Sequence, residues 1–139
     1  MRLCLIVFPK RFGELGVEVR LLDSRQGLDF LQQNRDADDW LLHVETFDPH
    51  EPFHAPERFR DAFPTTYRGP VLDWPPYARV NEAPEECEEL RANYCATVAL
   101  CDHELGRLLD RMDAENLWAD TALIVTTDHG FLLGEHDWW

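Results

Sequence analysis

A chain of 139 residues has room for at most one ordinary domain, and its 45% apolar content is enough to build a core. The formal net charge is −14, with 27 acids against 13 bases, and Lys10 is the only lysine. So acidic a surface argues against a protein that wraps nucleic acid or lies on an anionic membrane. Cys4, Cys87, Cys95 and Cys101 show no CxxC spacing and no disulfide-dense context, so reduced cysteines on structural positions are expected. The opening "MRLCLIVFPK" is too short for a signal-peptide core, and no run reaches the length of a membrane span. A soluble, cytoplasmic chain is the expectation.

Taken in order, "LCLIVF" (3–8) predicts a strand. "SRQGLDFLQQN" (24–34) predicts a helix, with Leu28 and Leu31 at helical spacing and Ser24 as its N-cap. Asp36 to Asp39 predict a polar turn, and "WLLHVETF" (40–47) a largely buried strand. Residues 48–80 hold seven of the nine prolines together with Phe53, Phe59, Phe63, Tyr67, Trp74 and Tyr77. Proline fixes φ and removes a donor, so regular structure is not expected there. A loop this long in a compact domain usually serves as a lid or a binding loop.

Residues 82–114 carry the clearest helical pattern. Pro84 suits the first turn, and Glu85, Glu86, Glu88 and Glu89 suit the positive end of the dipole. Cys87, Leu90, Tyr94, Val98, Cys101, Leu105, Leu108 and Met112 form one apolar stripe. "TALIVTTD" (121–128) predicts a second buried strand. Strand, loop, long helix and strand together predict an α/β sheet with crossover connections. In such sheets ligands gather beyond the carboxyl ends of the strands. Two strands end in this way, at "FDPHEPFH" (47–54) and at "TDHG" (127–130).

Asp128 and His129 combine a hard anionic oxygen with an imidazole nitrogen just past a strand, and Gly130 permits the turn that would let them converge. Metal binding and a plain Asp turn with a surface histidine both fit that spacing. His50, between Pro49 and Pro52, sits on a restricted backbone and suits a catalytic or anion-contacting imidazole. An incidental histidine on a Pro-rich turn is the other reading. His50 and His54 as a zinc pair would need a helix that the prolines oppose. His43 is expected to be a sheet histidine, Asp102 and His103 surface residues, and the acids of 82–89 a solvated face. His136 either lines a site or caps a loop.

Three stretches, "FDPHEPF" (47–53), "YCATVALCDHELGRLLDRMD" (94–113) and "TALIVTTDHGFLLGEH" (121–136), resemble sulfatases of the alkaline-phosphatase superfamily in order and spacing. The resemblance spans residues 24–139 and implies an alkaline-phosphatase-like α/β fold, a sheet sandwiched by helices. It implies a partial sulfatase catalytic domain over 1–139, with 48–80 as the active-site loop. It makes Asp128 and His129 ligands of a divalent metal, Ca2+ first and Mn2+ or Zn2+ as alternatives. It makes His50 the residue that contacts the sulfate or leaving-group oxygen. The implied substrate is a small-molecule or glycan sulfate ester, with no nucleic-acid or membrane partner. Neither the nucleophile region nor the C-terminal region of the family is expected in this chain.

The family's nucleophile is a formylglycine made within C/S-x-P/A-x-R, and no such motif occurs here. "CEELR" (87–91) has Glu89 where Pro or Ala is needed, so Cys87 is read as a packing residue. The early metal-binding Asp pair is missing, as is a lysine shortly after "LGEHDWW". An incomplete middle section, inactive by itself, is therefore expected. A phosphonate or phosphodiester hydrolase of the same superfamily, or a non-catalytic metal-binding or interaction remnant, are the alternatives.

Overall fold

The computed structural model describes residues 3–9, 18–21, 24–37 and 40–139, with side chains from Arg25 onward. Lys10, Asp38 and Asp39 lie outside the described residues. The elements are β1 (Leu3–Pro9), β2 (Glu18–Leu21), α1 (Ser24–Gln33), β3 (Leu41–Glu45), α2 (Glu57–Arg60), α3 (Pro84–Ala114) and β4 (Thr121–Thr127). Short 3-10 turns cover Leu117–Ala119 and Glu135–Asp137. No helix among the described residues is long and apolar enough to cross a membrane.

The described residues form two compact units. A sheet unit takes 3–47 and 102–128, and a loop–helix unit takes 48–101 and 129–139. In the sheet unit the strand order is β2-β3-β1-β4. The sheet is mixed: β2 pairs with β3 in parallel, while β1 runs antiparallel to both β3 and β4. β2 has no counterpart among the predicted strands. Since β1 opposes both neighbours, β3 and β4 run parallel to each other with one strand between them. Glu45 and Thr126 both stand opposite Cys4, so the two strands end level. Two strand spacings separate them, about 10 Å.

The sheet unit is held by an apolar core of Leu28, Leu31, Trp40, Leu42, Val44, Leu108, Met112 and Leu117. β3 alternates, with Leu42 and Val44 buried and Leu41, His43 and Glu45 half-buried. Such alternation marks a strand with one face on the core, rather than the largely buried strand expected from its composition. β4 also departs from the expected burial. Thr121 is buried and Leu123 packs on the core, but Ile124 and Val125 are 45% and 46% exposed. Among the described residues β4 has one strand neighbour, β1, so burial fades along it.

α3 begins at Pro84, where a missing N–H costs nothing. The Glu86 carboxylate accepts from the Ala83 N–H at 2.9 Å, one half of a capping box. The buried stripe passes through Thr97 rather than Val98, which is exposed. Sequence patterning skips Thr97 because it is polar. Its hydroxyl donates to the Tyr94 carbonyl at 2.7 Å, which lets it be buried. Cys87 packs with Leu90 and Trp139, as expected of a packing cysteine, and Cys87, Cys95 and Cys101 are free thiols. Asp102 and His103 are exposed, as expected.

Candidate active site

Residues 48–80 contain only α2 and one isolated bridge, Arg79 with Trp138, as proline placement predicts. The loop is nevertheless well anchored. Burial alternates from 51 to 55, with Glu51, Phe53 and Ala55 inside and Pro52 and His54 outside. The Phe53 N–H donates to the Asp73 carbonyl at 2.7 Å. Asn93, buried on α3, donates to the Leu72 carbonyl at 2.7 Å and to Glu89 at 3.2 Å. Glu89 also accepts from the Thr65 hydroxyl. Glu86 and Glu89 thus have structural partners, which corrects the reading of 82–89 as a wholly solvated face.

The segment after Gly130 is fastened to the same unit. Val80 N–H donates to the Asp137 carbonyl and Trp139 N–H to the Ala78 carbonyl, both at 3.0 Å. Trp139 Nε1 donates to Glu82 at 2.7 Å, and the Arg91 guanidinium lies 5.8 Å from the Trp139 ring centre. Arg91 Nε also donates to the Leu133 carbonyl at 2.6 Å. Gly134 has φ +101°, and a Cβ there would stand 2.2 Å from Arg91 Nη2. The positive φ favours glycine at that position. The arginine of "CEELR" is therefore a clasp for the tail, and the tryptophans 138 and 139 have partners.

Phe53, Tyr94 and Phe131 form a triangle of edge-to-face rings, with centres 5.3, 5.6 and 5.9 Å apart. Two of the predicted site residues gather on it. His50 meets Phe131 edge-on at 6.2 Å, and His129 meets the same ring at 5.9 Å. His50 Nδ1 lies 2.7 Å from the Glu51 carbonyl oxygen, and His129 Nδ1 lies 3.0 Å from the Gly130 carbonyl oxygen. Because a carbonyl only accepts, each of these nitrogens is the donor. Phe131, Tyr94 and Glu51 are absent from the sequence-based list of site residues. The period-two burial around Phe53 could have placed Glu51 inside. Nothing local to Phe131 would have singled it out.

Asp128 closes the sheet unit, exposed, accepting from the Thr127 hydroxyl at 3.4 Å. The division between the units falls between Asp128 and His129. His136 is exposed in a left-handed conformation, φ 58°. Among the described residues no three His, Cys, Asp or Glu side chains are grouped to hold a metal ion. Burial raises the Asp48 carboxyl above its ordinary range, and nearby His54 partly offsets this. Burial, with Asp48 adding to it, pushes the Cys101 thiol up to about 12, so Cys101 is an inert thiol. A cavity of about 370 Å³ lies elsewhere in the loop–helix unit, against Glu57, Arg60, Tyr67, Glu89 and Asn93. Neither His50 nor His129 lines it.

The family model described as Sulfatase matches residues 24–138. A choline-sulfatase of Rhizobium meliloti is 26% identical over 130 residues, covering 78% of this chain and 25% of the relative. The human iduronate 2-sulfatase is 41% identical over 51 residues, covering 37% of this chain and 9% of the relative. The multifunctional alkaline phosphatase superfamily protein PehA of Trinickia caryophylli is also 41% identical over 51 residues, covering 37% of this chain and 10% of the relative. The chain thus spans about a quarter or less of the length of these relatives. No solved structure matches.

Proposed function

Because the chain belongs to the sulfatase family, we propose that it supplies the middle of a metal-dependent sulfatase centre that hydrolyses sulfate esters. Its formylglycine nucleophile would come from outside these 139 residues, which contain no C/S-x-P/A-x-R. The observation that carries this reading is the meeting of His50 and His129 on Phe131. Two segments nearly eighty residues apart in sequence bring the two imidazoles named by the sequence motifs to one ring. The intact fold would be an alkaline-phosphatase-like sheet sandwiched by helices.

Asp128 and His129 would hold the divalent metal. One carboxylate and one imidazole, both exposed, fit part of a ligand set and leave the rest to other donors. Ca2+ is the first assignment, and the mixed O/N pair also suits Mn2+ or Zn2+. When bound, the metal supplies charge against the negative charge developing on the transferred sulfuryl group. His50 keeps its Nδ1 proton on the Glu51 carbonyl, so proton exchange with a leaving-group oxygen falls to Nε2. The names of the relatives, choline-sulfatase and iduronate 2-sulfatase, favour a small-molecule or sugar sulfate ester as substrate. A phosphonate or phosphodiester hydrolase of the same superfamily, with the same metal pair, is the second reading; PehA is named only as a multifunctional alkaline phosphatase superfamily protein.

The pure chain is expected to show no turnover of an aryl sulfate. Complementation by a polypeptide carrying the C-x-P-x-R segment is expected to produce turnover. His50→Ala should lower it about 10²-fold or more, the span of a lost general acid. Asp128→Ala should weaken divalent-metal affinity in the same assembly. Turnover by the pure chain that is lost on His50→Ala would overturn the proposed division of the site. An aryl phosphonate turned over faster than the sulfate would select the second reading. An assembly that binds metal but turns over neither ester would leave a non-catalytic remnant.

A further inference from the structure

We propose that Glu51 is the positioning residue of His50: it fixes which ring nitrogen carries the proton, and hence which nitrogen meets the substrate. The functional meaning rests on the role proposed for His50 above. The geometry does not.

Glu51 is 0% exposed, and among the described residues neither carboxylate oxygen has a hydrogen-bond partner. A buried carboxylate without such partners is costly, and native chains rarely keep one without a use. The carboxylate lies beside His50. Oε2 lies 3.4 Å from Nδ1, within ion-pair range but off hydrogen-bond geometry. The main-chain oxygen of the same residue lies 2.7 Å from the same nitrogen. Two acceptors from one residue therefore face a single nitrogen.

The carbonyl can only accept, so Nδ1 must carry hydrogen. A neutral imidazole has one N–H, so its lone pair then sits on Nε2. In the charged ring Nε2 becomes a donor as well. In both states Nε2 is the nitrogen that exchanges a proton with a substrate oxygen. Turning the ring over would set Cδ2 against both acceptors. Adjacent residues thus divide the work, His50 to exchange the proton and Glu51 to aim the ring.

The test is the tautomer of neutral His50, read from long-range 1H–15N correlation of the 15N-labelled chain at about pH 8.5, well above the ordinary histidine value. The wild-type ring is expected to be predominantly Nδ1–H. In Glu51→Gln the carbonyl stays, and the amide can offer its own N–H to Nδ1. The Nδ1–H to Nε2–H ratio is then expected to fall by about fivefold or more. A ratio unchanged in Glu51→Gln, with the Phe53, Tyr94 and Phe131 ring signals still native, would overturn the assignment. If that variant loses its native ring signals, the wild-type spectrum decides, and a predominant Nε2–H form overturns the proposal. No turnover is needed for this readout. An Nδ1–H ring in an assembly without sulfatase activity would sink the functional reading and leave this one standing. An active assembly with an Nε2–H ring would do the reverse.

Discussion

The sheet unit and the loop–helix unit are stabilised in different ways. The first is built from regular elements around a mainly aliphatic core, joined by Trp40, with side chains from α1, β3 and α3. The second has long irregular stretches, closed by main-chain bonds between 78–80 and 137–139 and by side chains such as Asn93, Arg91 and Glu82. It also holds an aromatic cluster, with Phe53, Tyr94 and Phe131 in mutual contact. An irregular loop cannot satisfy its own backbone, so each buried carbonyl needs an individual partner. The same irregularity frees side chains such as His50 from strand alternation, and both candidate histidines of the site lie in this unit. The scaffold is made by pattern, and the site by specific contacts.

Emptying each core in turn should affect the two units separately. Phe53→Ala should cost about 3–5 kcal/mol and Met112→Ala about 2–5 kcal/mol, measured by urea unfolding. Hydrogen exchange should locate the first loss in 48–101 and 129–139 and the second in β3 and β4. Identical exchange patterns for the two variants would mean that the units do not respond separately. A smaller effect tests the polar closure. Asn93→Ala leaves the Leu72 carbonyl without its side-chain donor and should cost about 1–3 kcal/mol, with the ring signals of the Phe131 cluster shifting and those of Trp40 unmoved. A loss below about 0.5 kcal/mol, the level of an ordinary surface change, would show that the bond is dispensable.

The smallest effect concerns acid. The Leu133 N–H bonded to Glu135 holds that carboxyl below its ordinary value of 4.5, helped by its own main chain. Burial pushes Glu82 up, but its bonds from Trp139 Nε1 and the main chain outweigh this and leave it below 4.5 as well. A carboxylate depressed in the folded state contributes stability that is present above its unfolded value and lost as pH falls through its folded value. The tail clasp should therefore weaken progressively below about pH 4.5, the unfolded range. Tryptophan fluorescence from Trp138 and Trp139 should report it. Glu135→Gln and Glu82→Gln should each flatten that slope, and a slope unchanged in both would remove these carboxylates from the clasp.

Sequence alone was informative where a period or a motif acts locally. The 3.6-residue stripe and Pro84 located α3, the apolar runs located β1, β3 and β4, and the prolines marked 48–80 as irregular. The motif spacing also pointed to the sulfatase family, and the match over 24–138 bears the family out; His50, Asp128 and His129 are its proposed site residues. What depended on partners distant in sequence was not legible. The exposure of Ile124 and Val125 follows from the place of β4 in the strand order. The burial of Thr97 follows from a hydroxyl that satisfies itself against the Tyr94 carbonyl. Phe131 becomes a platform for two histidines, and Glu51 a neighbour of the His50 Nδ1 atom, because the loop and the tail fold against one stretch of α3. Local propensity and periodicity are set by neighbours along the chain. Burial, partners and ring orientation are set by what folding brings alongside, and that is where the tertiary structure decided.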